Sequence, residues 1–90
     1  MKHPIRLQVL PESLAELAVE LGDLRYDALE DFLAALAEKI RADAAKDSAR
    51  GRRKLAAFLE SAARRIEASA ADIGEAWRII KFGDADGFIC

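Results

Sequence analysis

The most restrictive pattern in this chain is a set of residues at alternating spacings of four and three: Leu55, Leu59, Ala62, Ile66, Ser69, Ile73, Ala76 and Ile80. That spacing lines one stripe of an α-helix, where 3.6 residues complete a turn, and it is incompatible with the two-residue period of a strand. It continues without a slip and predicts a helix over 52–80, about 40 Å long at ~1.5 Å per residue. Phe58, Ala63, Ala70 and Trp77 widen the stripe. Glu60, Arg64, Glu67, Glu75 and Arg78 lie opposite, as a mixed-charge solvent face.

A second stripe precedes it. Tyr26, Leu29, Phe32, Leu33, Leu36, Ala37, Ile40 and Ala44 predict a helix over 24–47 with Asp23 as its cap. Its inner seam, Leu29, Leu33, Leu36 and Ile40, has coiled-coil spacing and turns acidic at Asp43 and Asp47. Ser48, Ala49, Arg50 and Gly51 read as the connection, with Gly51 able to adopt the left-handed conformation that ends a helix. The two long helices then fold back on each other as an antiparallel hairpin.

Upstream, Pro11 suits a first helical turn, and Leu14, Leu17, Ala18 and Leu21 share one face, so a short helix is expected over 11–21. Residues 1–10 alternate, with Ile5, Leu7 and Val9 on one side, and read as an extended strap. Residues 81–90 form a tail of changed character. The expected fold is all-α: one domain of three helices dominated by the hairpin, with a short extended N-terminal segment. Matching of helix lengths suggests that Ile73, Trp77 and Ile80 extend beyond the helix over 24–47, with the first helix and the strap as their cover.

Composition agrees. Nineteen alanines favour helix, and the only two prolines, Pro4 and Pro11, precede its main body. With 52% hydrophobic residues the chain is too apolar for intrinsic disorder, and charges interrupt every run that could span a membrane. A start of Met1-Lys2-His3-Pro4-Ile5-Arg6 lacks the apolar stretch of a signal peptide, which favours the cytoplasm. The net charge of −2 hides an asymmetry. Residues 1–45 carry five basic and nine acidic groups, whereas 46–90 carry nine and seven. Opposite signs suit either an antiparallel fold or head-to-tail association between copies.

Little in the sequence points to catalysis. A single histidine, His3, and a single cysteine, Cys90, supply neither a general-base network, nor a disulfide, nor a zinc site. Residues 84–89, with Asp84, Asp86 and Gly87, resemble only the middle of an EF-hand calcium loop. Phe82 occupies the first ligand position, and the bidentate glutamate is missing. Asp27…Glu30 and Asp72…Glu75 have the spacing of helical magnesium sites, but their positions diverge from the seams. Ser69 lacks a base, and its hydroxyl is expected to bond to the carbonyl one turn earlier. No cofactor or metal site is therefore assigned, and an enzyme is not expected.

Two sets of residues remain. Trp77, Phe58 and Tyr26 are core aromatics by spacing and partner anchors by type. Arg50, Arg52, Arg53 and Lys54 gather cations at a helix N-terminus, where they oppose the macrodipole. Pairing with Asp43 and Asp47 is the structural explanation, and a polyanion such as nucleic acid is the functional one. The expectation is a non-enzymatic interaction or regulatory module that self-associates as a homodimer or binds a helical partner, with polyanion binding as the alternative.

Overall fold

A computed structural model describes residues 13–82 as three helices: α1 (Leu14–Gly22), α2 (Tyr26–Ala49) and α3 (Arg53–Phe82). The expected all-α architecture is present, with α2 and α3 packed as an antiparallel hairpin. The extended strap expected over 1–10, and the tail beyond Phe82, lie outside the described residues. No strand occurs among those described.

Capping explains where the helices begin and end. Ser13 Oγ accepts the backbone N–H of Glu16 at 3.1 Å, which starts α1 three residues after Pro11. Asp23 closes α1, donating its N–H to the Val19 carbonyl at 2.9 Å, so it is not the cap of the next helix as its residue type suggests. Arg25 takes that position without a side-chain cap. Asp27 supplies the negative charge instead. Its carboxylate accepts the Ala28 N–H at 2.8 Å and grips Arg25 at 2.7 and 2.8 Å.

Between the long helices, the Gly51 N–H bonds to the Ser48 carbonyl at 3.0 Å, and the Arg52 N–H reaches the Asp47 carbonyl at 2.8 Å. This pair of bonds is a Schellman motif, and it needs a left-handed residue at Gly51, whose φ is +84°. The helix over 24–47 in sequence terms therefore runs two residues further, and the last helix extends to Phe82 rather than ending at residue 80.

The contact between α2 and α3 departs from the expected seam. Ala37 and Ala44 on α2, and Ala56, Ala63, Ala70 and Gly74 on α3, are the buried residues of the hairpin. The alanines recur every seven residues. Small side chains let the two backbones approach closely, and the leucine–isoleucine stripes are displaced to one flank. At 100° per residue, Leu33 and Ile40 fall on one side of the Ala37–Ala44 line and Arg41 on the other. The same division holds on α3, with Leu59 and Ile66 on one side and Glu60 and Glu67 on the other.

Two further expectations change. A three-residue connection brings Tyr26 level with Trp77, so α2 reaches that residue and only the last turn of α3 extends past it. The first helix packs lightly, with Leu17 and Leu21 of its expected inward face half-buried. α1 has no buried residue, and Leu14 and Val19 remain 59% and 63% exposed. The Cα extents of 52 × 30 × 14 Å describe an elongated, flattened molecule.

Candidate interaction surfaces

The hairpin has two unlike faces. On one, Arg41 reaches across from α2 to α3 and donates two 2.7 Å hydrogen bonds to the Glu67 carboxylate. It also contacts Glu60 at 3.3 Å and Glu38 at 3.4 Å. The guanidinium stabilises ionised Glu67 and holds its carboxyl below the usual glutamate range, while Arg41 is itself held more firmly protonated. A forked guanidinium–carboxylate pair fixes register as well as attraction.

The other face is apolar. Leu29, Leu33 and Ile40 of α2 and Leu59, Ile66 and Ile73 of α3 are half-buried beside the alanine line. Beyond them Phe32, Leu36 and Leu55 are exposed, as are Ile80 at 53% and Phe58 at 70%. Everything fully buried in the described residues is alanine or glycine. A packed domain ordinarily buries its large side chains between two layers, and the described residues supply only one to this face. Phe58 is thus not the core residue that its spacing implies. It stands on the open face because the close alanine contact turns that flank outward.

Trp77 and Tyr26 come together, whereas Phe58 lies toward the other end. With Leu24, Arg25 and Ile80 they line an open, mainly apolar pocket of about 230 Å³. The Arg25 guanidinium carbon sits 5.3 Å from the Trp77 ring centroid, within cation–π range. The same guanidinium holds the Asp27 carboxyl below its ordinary range. Sequence reading missed Arg25 and Arg41. Arg41 was recognisable only with the register known, because its acidic partners lie on another helix.

The basic cluster is divided. Arg52 approaches Asp47 at 3.4 Å, as the structural explanation requires. Asp43 pairs with Lys39 at 2.5 Å, one turn earlier on its own helix. Arg50, Arg53 and Lys54 are exposed and hold no ion pair among the described residues. Arg53 borders a cleft of about 400 Å³ with Glu60, Ser48 and alanines of both helices.

Three of the four carboxylates in the spaced pairs have a neighbour, and Asp72 is exposed. Asp27 is engaged by Arg25, and Glu75 by Arg78. Glu30 lies against Gly74, its carboxylate occupying the space that a Cβ would need. Among the described residues no three histidine, cysteine, aspartate or glutamate side chains gather as a metal-binding group. Ser69 Oγ donates to the Arg65 carbonyl at 3.1 Å, the expected bond to the preceding turn. No helix is long and apolar enough to cross a membrane among the residues described. No protein-family model matches the chain, and comparison with curated proteins and with solved structures returns no similar protein.

Proposed function

We propose that this chain is a non-enzymatic interaction module whose working surface is the apolar side of the α2–α3 hairpin. The supporting observation is the contrast between the faces: Arg41 closes one with ion pairs, while Phe32, Leu36, Leu55 and Phe58 stand uncovered on the other. Contiguous exposed apolar surface of this kind marks association sites in soluble proteins. Trp77 and Tyr26 extend it at the open end, with aromatic types suited to anchoring a partner. Function in the cytoplasm belongs to the same reading.

The test compares the full chain with a Leu36→Lys/Phe58→Lys variant in parallel affinity captures. Helix content by circular dichroism should be unchanged, because neither side chain is fully buried in the hairpin. Loss of every stoichiometric protein companion, further copies of the chain included, is the expected result. Retention of the same companions by the variant would reject this surface.

A second reading rests on Arg50, Arg53 and Lys54, whose exposed cations have no acidic partner among the described residues. It assigns them to a polyanion such as nucleic acid. Binding would weaken steeply with salt and on Arg53→Ala/Lys54→Ala substitution. Binding indifferent to salt would exclude it.

A further inference from the structure

We infer that the occupant of the apolar face is a second copy of this chain, stacked so that the two α2–α3 connections lie at opposite ends of a four-helix bundle. This rests on the interaction reading above and specifies its partner. Size is the first support. The 24 residues of α2 give a face about 36 Å long, and two close-packed helices make it roughly 20 Å wide. The resulting area is about 700 Å² per copy, close to the ~800 Å² per partner of a stable interface. An identical hairpin has the same length, width and apolar character. Face-to-face stacking under a twofold axis supplies a second layer for both copies at once.

Charge selects the orientation. The connection end, residues 43–60, carries five basic and three acidic side chains. The open end, residues 23–31 with 72–81, carries three basic and six acidic ones. Two arrangements bring the apolar faces together. With connections at the same end, Arg50, Arg52, Arg53 and Lys54 of one copy approach their own counterparts. With connections at opposite ends, that cluster lies toward the partner copy's acidic open end, and each helix runs antiparallel to its counterpart. Like charges at close range penalise the first arrangement, whereas the second is attractive at both ends. The preference weakens as salt screens it, since the Debye length is only ~8 Å at physiological ionic strength. The two halves of the sequence thereby match between copies as well as within one hairpin.

Sedimentation equilibrium and intermolecular spin-label distances test this on the full chain. Cys90→Ser removes the native thiol, and Ala49→Cys places one label beside the connection, at an exposed helix end. A reversible dimer with a label separation on the order of 40 Å is expected. Leu36→Lys/Phe58→Lys should weaken dimerisation roughly thirtyfold or more while helix content stays constant. A label separation of roughly 20 Å, near two helix diameters, would overturn the opposite-ends arrangement. A monomer at all concentrations would overturn the second copy as occupant, yet leave the interaction reading to its own capture experiment. A dimer insensitive to Leu36→Lys/Phe58→Lys would overturn the second copy as occupant of this face.

Discussion

Two glycines in the hairpin have different physical reasons for lacking a side chain. Gly51 has open space around the position of a Cβ, but its φ of +84° is one that L-residues adopt only at a cost. Gly51→Ala should therefore lower stability by about 1 kcal/mol, read as a reduced urea midpoint with an unchanged slope. Gly22→Ala is the contrast: its backbone is ordinary helix and its surroundings are open, in a helix with no buried residue. The hairpin's unfolding midpoint should not move. At Gly74 the constraint is steric, because a Cβ would come within 2.4 Å of Glu30 Oε2. The obstacle is the end of a flexible side chain, so Glu30 can swing away. Alanine also gains up to about 1 kcal/mol of helix propensity over glycine. Gly74→Ala in a Glu30→Ala background should then stabilise more than Gly74→Ala alone, and denaturation of the four proteins of that cycle measures the coupling. Equal effects in both backgrounds would show that the carboxylate does not occupy this space.

At the scale of the elements, the long helices were legible because their apolar periodicity is local and uninterrupted, and Gly51 was legible because one residue type suits the turn. The helix–helix contact line was not. Leucine and isoleucine dominate a hydrophobic pattern, yet Ala37, Ala44, Ala56, Ala63 and Ala70 form the contact, since close backbone approach favours the smallest side chains. That choice between a large stripe and a small one beside it depends on both helices together. Misplacing it also misplaced Phe58. Tyr26 and Trp77 were singled out one by one by residue type, whereas their proximity follows from the three-residue connection. The register is reinforced by Arg41, and this has a pH signature. Glu67 titrates below its ordinary value of 4.5 because Arg41 favours its ionised form. The stabilisation is therefore fully present above that ordinary value and disappears as pH falls through the lowered folded value. Glu67→Gln should lower the melting temperature at neutral pH and flatten its decline on acidification. An acid limb as steep as that of the parent would remove the Arg41 bridge from the account.

For the whole molecule, a hairpin whose large side chains stay partly exposed gives stability and association a common origin. A single hairpin buries only alanine and glycine fully among its described residues, so most of its large apolar side chains still meet water. Covering them in a second copy transfers apolar surface out of water at roughly 25 cal/mol per Å² before the cost of association. A dimer so stabilised must unfold at a temperature that rises with protein concentration, because dissociation accompanies loss of structure. The expected experiment is a set of melting curves over a hundredfold concentration range, with a midpoint that climbs steadily. Ile66→Asp sharpens it. Ile66 is half-buried on the open face beside the alanine line, so aspartate there opposes stacking more directly than it opposes the α2–α3 contact. The variant should retain helix, lose the concentration dependence and melt at the lower midpoint of the isolated hairpin. A concentration-independent midpoint in the parent chain would instead mean that one copy reaches its stability alone, and that the apolar face contributes nothing through self-association.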